Sequence, residues 1–147
     1  MKITRRFLVS IGMLVLTSFA ASLSDPINKD GQVAIKGYDP VAYFLQSSAV
    51  KGSPNFTHEW MGAKWQFSSA ANRDEFAKNP EKYVPQYGGY CAYGVSRGHT
   101  VPVDPEAWKI VDGKLYLNYS KGVQKTWLGN TAGYIDQANK NWPGLHK

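Results

Sequence analysis

The chain has 147 residues, of which 43% are hydrophobic and 14% are aromatic, and its formal net charge is +6 at pH 7. This length and composition suit one globular domain with its own core, and they exclude a disordered, fibrous or multidomain protein. A single cysteine, Cys91, excludes an internal disulfide, so the folded state depends on the core.

Residues 1–21 predict an export signal peptide. A basic stretch precedes an apolar run of about 15 residues that ends in small residues. A membrane-spanning helix needs roughly 20 residues, so cleavage is favoured over anchoring. Arg5 and Arg6, directly before the run, resemble a twin-arginine leader, and an ordinary secretory signal is the alternative. The predicted location is therefore periplasmic or otherwise exported, in a bacterium.

Much of the positive charge belongs to this leader. Lys2, Arg5 and Arg6 account for three of the formal +6, which leaves +3 on residues 22–147. The other Lys and Arg residues are scattered along the sequence and form no basic cluster that would bind the phosphate backbone of a nucleic acid. We expect no nucleic-acid partner and no stable membrane anchor once the signal is removed.

The first elements after the leader are short. Residues 33–35 predict a strand, and Asp39 and Pro40 predict the cap and first residue of a helix. Alternating apolar and polar side chains over residues 56–67 predict a hairpin that bends at Gly62.

A helix is predicted next, beginning at Ser68 or Ser69 and running to Lys78, where Pro80 ends it and starts a turn that closes near Tyr83. The pair Asp112-Gly113 between two apolar runs predicts a second hairpin with a two-residue turn. One or two helices follow Ser120. The residues of this second half expected to face the core are Trp108, Ile110, Leu115, Leu117, Trp127, Leu128, Ile135 and Trp142.

These elements predict an α+β fold with a small antiparallel sheet, built from two hairpins and a strand, packed against several short helices. Residues 22–147 contain no repeat and no linker, so they are predicted to form one domain.

Several separated motifs, from about Val33 to Trp142, resemble those of the exported YHS domain proteins of bacteria. The motifs are GYDPVAYF, KGSPNFTHEW, FSSAANRDEFAKNPEKY, PQYGGYCAYGVSRG and DGKLYLNYS. The resemblance implies a stand-alone YHS domain. It implies no particular activity, because such exported proteins are generally described only as YHS domain proteins.

Relatives of this domain in heavy-metal transporters carry metal-binding cysteines in a pattern similar to F-C-S-x-x-C. The matching residues here are Phe67, Ser68, Ser69 and Asn72, so serine and asparagine stand at the two cysteine positions. A hydroxyl and an amide are poor ligands for soft metals. The transporter-type site is therefore not expected in this chain.

Cys91 lies in the segment YGGYCAYG and has three candidate roles: buried packing, metal binding or a reactive thiol. The candidate partners for a metal are His99, eight residues further on, and His58, whose ordinary interpretation is a strand histidine. Thiolate and imidazole together suit copper or zinc. No Cys-x-x-Cys or His-x-x-x-His element fixes such a site locally. His146, next to the chain end, is expected to be frayed and uninvolved.

The tyrosines of the same segment, Tyr87, Tyr90 and Tyr93, are the candidate ligand or interaction surface, with ordinary core packing as the alternative. A thiol enzyme would need Cys91 to be activated by a base and an oxyanion site. The carboxylates form no pattern that separates an acid from a base, so no catalytic residue is predicted.

The sequence therefore predicts a small exported binding protein that binds an ion rather than catalysing a reaction. The predicted ligand is copper or zinc, bound through Cys91 and His99. Two alternatives stay open. One is a thiol-dependent redox protein, and the other is an aromatic-surfaced module for a small ligand or protein in which Cys91 is buried and structural.

Overall fold

The structure is a computed structural model that describes Gly12 and residues 22–147; the predicted signal peptide otherwise lies outside the described residues. The strands are β1 (Lys29–Asp30), β2 (Val33–Ala34), β3 (Ser53–Trp60), β4 (Ala63–Phe67), β5 (Asp104–Val111) and β6 (Lys114–Asn118). The α-helices are α1 (Ala42–Leu45), α2 (Ala70–Lys78), α3 (Pro80–Tyr83), α4 (Ala92–Ser96), α5 (Lys121–Leu128) and α6 (Thr131–Asn141). Short 3-10 turns cover Ile35–Gly37, Gln86–Gly89 and Trp142–Gly144.

The predicted α+β class is confirmed, and both predicted hairpins are present, but they belong to two sheets. The larger sheet has the order β1-β2-β4-β3, and β5 and β6 form a separate antiparallel pair. Strand β2 pairs in parallel with β4 through Val33 and Lys64, and the Lys64 amide donates to the Gln32 carbonyl at 2.7 Å. The edge of β4 that faces away from β3 is therefore occupied by β2 and is closed to the second hairpin.

The two hairpins turn with the same backbone geometry. Met61 and Gly62 have φ values of 51° and 74°, and Asp112 and Gly113 have the same two values. A two-residue type I′ turn needs positive φ at both positions, which is why Asn-Gly and Asp-Gly favour it. The Asp112-Gly113 prediction is thus confirmed. Met61 is an unusual residue for the equivalent position.

Ser69 and Ser120 cap the helices predicted to follow them, whereas α1 begins at Ala42 and not at the predicted Pro40, with Asp39 accepting the amides of Val41 and Ala42. Ser69 Oγ accepts the Asn72 amide at 3.1 Å at the start of α2, and Ser120 Oγ accepts the Val123 amide at 3.1 Å at the start of α5. Each side chain satisfies an amide that has no partner within its own helix. The short polar residues before these apolar runs therefore set where α2 and α5 start.

Two apolar clusters form the core. One joins the larger sheet to α2, α3 and the β5–β6 hairpin, and it includes Cys91; the other lies beneath α4, α5 and α6. Trp127 is fully buried in the second cluster, as predicted. The prediction for Leu128 is wrong: its side chain is 48% exposed, because the next residue of α5 points to a different side of the helix. Among the described residues, no helix is long and apolar enough to cross a membrane.

Candidate ligand-binding cleft

Cys91 is placed at the start of α4 with its thiol turned inward, and it is only 1% exposed. The Gly94 amide donates to Sγ at 3.4 Å, and the Tyr119 amide donates to it at 3.2 Å. The thiol in turn donates to Asn118 Oδ1 at 3.6 Å. Asn118 is itself fully buried and also accepts the Tyr93 amide at 3.1 Å. The thiol therefore belongs to an internal hydrogen-bonded junction between α4 and the end of β6.

Burial raises the pKa of the Cys91 thiol, and the main-chain amides of Gly94, Tyr119 and Tyr93 lower it by a smaller amount. The net direction is upward, so the neutral thiol is favoured at neutral pH. A nucleophilic or metal-binding cysteine needs the thiolate. The surroundings of Cys91 thus fit a packing and capping role better than thiol chemistry.

The two histidines proposed as partners of Cys91 lie in different settings. His99 is exposed in the loop after α4, where its amide donates to the Gly94 carbonyl at 2.9 Å. His58 lies on β3 opposite Trp65, and its ring packs edge-on against Phe76 with centroids 6.0 Å apart. Within residues 22–147, no three His, Cys, Asp or Glu side chains form a group that would hold a metal ion. Metal binding through Cys91, His99 and His58 stays a prediction.

Ser68 and Asn72, which stand at the two cysteine positions of the pattern F-C-S-x-x-C, have a different role in the structure. Asp39 is fully buried, and its Oδ2 accepts the Ser68 amide, the Ser68 hydroxyl and the Asn72 side-chain amide, each at 2.8 Å. Its Oδ1 accepts the amides of Val41 at 2.9 Å and Ala42 at 3.3 Å. Ser68 and Asn72 therefore hold a carboxylate, which ties the start of α1 to the β4–α2 junction.

We expect the Cys91 thiol to be protected in the folded protein. Alkylation by iodoacetamide at neutral pH should be at least about a hundredfold slower than in denaturant, because the buried neutral thiol reacts only after opening of the structure. Ser48→Cys supplies an internal control, since Ser48 is exposed and the added thiol should react freely. Mass spectrometry of peptides separates the two sites. Equal labelling of both thiols in the folded protein would support the thiol-dependent alternative.

The three tyrosines near Cys91 point to different neighbours. Tyr87 is 5% exposed and its hydroxyl donates to Asn139 Oδ1 at 2.9 Å. Tyr90 packs against Trp142 with ring centroids 6.0 Å apart, whereas Tyr93 packs edge-on against Tyr134 at 5.2 Å. Of the three, Tyr87 lines a cleft, and the other two belong to the packing around α4 and α6.

This cleft, the aromatic cleft, has a volume of about 230 Å³ and lies where four separate stretches of chain meet. It is lined by Pro26, Ile27, Trp60, Met61, Val84, Pro85, Gln86, Tyr87, Gly88, Trp142 and His146. Trp60 and Met61 come from the end of β3 and its turn, and Tyr87 comes from the 3-10 turn after α3. The rings of Trp60, Tyr87 and Trp142 and the thioether of Met61 thus line one small space.

The C-terminal side of the aromatic cleft is held by the segment that follows the predicted leader. The Ser24 amide donates to the Leu145 carbonyl, and the Lys147 amide donates to the Ser24 carbonyl, both at 3.0 Å. The His146 ring stacks on Trp142 with centroids 4.2 Å apart. The expectation that His146 is frayed is therefore wrong, because it pairs with Ser24, more than 120 positions earlier in the chain.

Sequence reasoning did not select Met61 or His146 as site residues and did not find the cleft. One signal was present in the turn, where methionine occupies a position that favours Asn, Asp or Gly. No local signal marked His146, since its position depends on pairing between the two ends of residues 22–147. Three larger clefts lie among the described residues. One of about 320 Å³ shares Trp60 and Met61 with the aromatic cleft and is also lined by Glu59. The other two, of about 370 Å³ beside His99 and about 450 Å³ beside α6, have no Trp or Tyr among their lining residues.

The structure therefore combines an α+β fold with a small cleft lined by aromatic side chains and a buried, hydrogen-bonded cysteine. No family model, no curated protein and no solved structure matches this chain.

Proposed function

We propose that this protein is a small exported binding protein, without catalytic activity of its own, that holds a small ligand in the aromatic cleft. The observation that carries the proposal is the convergence of Trp60, Tyr87 and Trp142 on one space of about 230 Å³. Ligand sites are typically concave, apolar and aromatic, with a few polar groups that orient the ligand.

The size of the cleft bounds the ligand. A volume of about 230 Å³ lies below the roughly 300–1,000 Å³ of sites for drug-sized molecules. An ion or a molecule the size of one or two rings fits this space. The exported location is supported by the leader in residues 1–21, and the motifs that resemble exported YHS domain proteins support placing the chain among them.

The three rings are held in position by packing, so the cleft is formed before any ligand arrives. Trp60 contacts Trp65 and Phe76, with centroids 6.2 Å and 5.9 Å apart. Trp142 contacts Tyr87 at 6.0 Å. Preformed sites lose little conformational entropy when they bind. This rigidity favours a binding role for the cleft.

Three probes of different chemistry test the proposal: indole for an aromatic ligand, tetramethylammonium for an organic cation and silver nitrate for a soft metal ion. We expect at least one to shift the NMR signals of Trp60 and Trp142 saturably. Gln86→Trp, which places a large side chain at the cleft, should weaken that binding at least about tenfold, because it fills the space.

Ala132→Trp is the matched control, since it adds the same side chain beside α6, at the cleft of about 450 Å³. It should leave probe binding unchanged. If none of the three probes binds saturably at the aromatic cleft, or if both tryptophan variants weaken binding equally, the proposal is overturned.

A further inference from the structure

We propose that the aromatic cleft binds a soft monovalent metal ion, Cu(I) or Ag(I), through the thioether of Met61 and Nε2 of His146. This inference rests on the proposed function, because it assigns a ligand to the same cleft. The sequence predicted a soft-metal site at Cys91 and His99. The proposed site is instead formed by two residues that are far apart in the sequence and line the same cleft.

Met61 occupies a backbone position that disfavours it. It shares φ values with Asp112 of the other hairpin, where the turn has a residue that favours positive φ. Its side chain is 53% exposed, so burial in the core does not account for the methionine. A residue kept in a disfavoured conformation at the edge of a cleft is a candidate for function. The thioether is the group that this residue adds to the cleft.

His146 presents one ring nitrogen for a ligand. Its Nδ1 lies 2.7 Å from the main-chain oxygen of Lys147. That oxygen only accepts hydrogen bonds, so Nδ1 carries the proton and the lone pair of the neutral ring is on Nε2. Metal-binding histidines commonly donate their other ring N–H to a main-chain carbonyl in this way. Stacking on Trp142 holds the ring plane.

The donor set selects the kind of ion. Thioether sulfur and imidazole nitrogen suit Cu(I), whereas Ca²⁺ and Mg²⁺ prefer carboxylate and carbonyl oxygens. No Asp or Glu is among the described residues that line the aromatic cleft. The rings of Trp60 and Trp142 add aromatic faces, which attract a cation at short range. Methionine has three rotatable side-chain bonds, so the exposed thioether can adjust to the ion.

Silver nitrate titration of the full chain, followed by calorimetry and by tryptophan NMR signals, tests the inference. Met61→Asn should lower silver affinity at least about tenfold while the thermal midpoint is unchanged or higher, because asparagine suits the turn. Met61→Leu keeps the size of the side chain and should lose the same affinity. His146→Phe keeps an aromatic ring over Trp142 and removes the nitrogen, and it should also lose at least tenfold.

Two variants are controls for the other soft ligands. His99→Asn removes an exposed imidazole outside the aromatic cleft, and Cys91→Ala removes the buried thiol; neither should change the silver affinity. Unchanged affinity in Met61→Asn, Met61→Leu or His146→Phe overturns the inference, as does loss of binding in Cys91→Ala alone. Indole or tetramethylammonium binding without silver binding overturns this inference and leaves the proposed function standing.

Discussion

Replacing Gly88 with alanine should destabilise the protein by more than about 4 kcal/mol, or prevent folding. A Cβ at this position would lie 1.8 Å from the Pro26 carbonyl oxygen and 2.8 Å from its carbon. Both atoms are main chain, so no side-chain rotation relieves the overlap. The Asn28 amide donates to the Gly88 carbonyl at 2.9 Å, which holds the two segments together. Denaturant unfolding monitored by tryptophan fluorescence gives the free-energy change.

Gly31 provides the matched control for this substitution. It has nearly the same φ as Gly88, 59° against 61°, and a Cβ there would have nothing within 4 Å. Gly31→Ala should therefore cost only the conformational penalty of a left-handed residue, roughly 1–2 kcal/mol. The difference between the two variants measures the contact with Pro26. Equal destabilisation by Gly88→Ala and Gly31→Ala would show that Pro26 does not pack against Gly88. These two residues would then not form one side of the aromatic cleft.

Asp39→Ala should lower the free energy of unfolding by about 3–5 kcal/mol. The carboxylate accepts five hydrogen bonds, and its removal leaves buried amide and hydroxyl donors without a partner. Each buried polar group that is left without a hydrogen-bond partner lowers the free energy of unfolding by about 1–3 kcal/mol. Because Asp39 joins α1 to the β4–α2 junction, the loss affects the centre of the fold. Urea unfolding of both proteins measures the difference.

Asp104→Ala is the control, because it also removes an aspartate that accepts a main-chain amide, but at an exposed site. Asp104 Oδ1 accepts the Glu106 amide at 2.9 Å at an exposed site, where water replaces the lost acceptor. Its removal should cost under about 1 kcal/mol. A cost for Asp39→Ala as small as that for Asp104→Ala would contradict the buried network. Asp39→Asn separates charge from shape, since the amide keeps one acceptor oxygen but in either orientation turns its NH2 group toward hydrogen-bond donors.

The network around Asp39 also shows what a motif comparison can and cannot say. The pattern F-C-S-x-x-C aligns Ser68 and Asn72 with metal-binding cysteines, and because a hydroxyl and an amide are poor soft-metal ligands, no soft-metal site is expected there. The role that both residues have instead depends on Asp39, which is 29 residues before Ser68. No spacing rule connects the two, because loop and strand geometry bring them together.

Short-range chemistry was predicted correctly where one residue and its immediate neighbours decide the structure. Ser69 and Ser120 begin helices because their hydroxyls accept an amide three residues later. Asp112-Gly113 turns the chain because both residues tolerate positive φ. The α+β class follows from such elements. The pairing of β2 with β4 could not be predicted in the same way, since Val33 and Lys64 lie far apart in the chain and no local signal joins them.

The candidate site was predicted less well than the fold. Cys91 attracted attention because it is the one cysteine in the chain, but two of the three hydrogen bonds of its thiol join it to Asn118 and Tyr119, at the end of β6 and directly after it. His99 was a candidate metal partner because it lies eight residues after Cys91 in the chain. The structure shows that a short loop brings the main chain of His99 to α4, while the imidazole stays exposed.

By itself the sequence determined the starts of α2 and α5, the hairpin turns, the burial of Leu115, Leu117 and Trp127, and the presence of thioether, imidazole and aromatic groups. Each of these depends on local backbone preference or on the hydrophobicity of a side chain. The tertiary structure alone decided that Cys91 is enclosed and that Met61 and His146 line one cleft. Those facts depend on contacts between residues far apart in the chain, whose geometry is set by the packing of the whole domain.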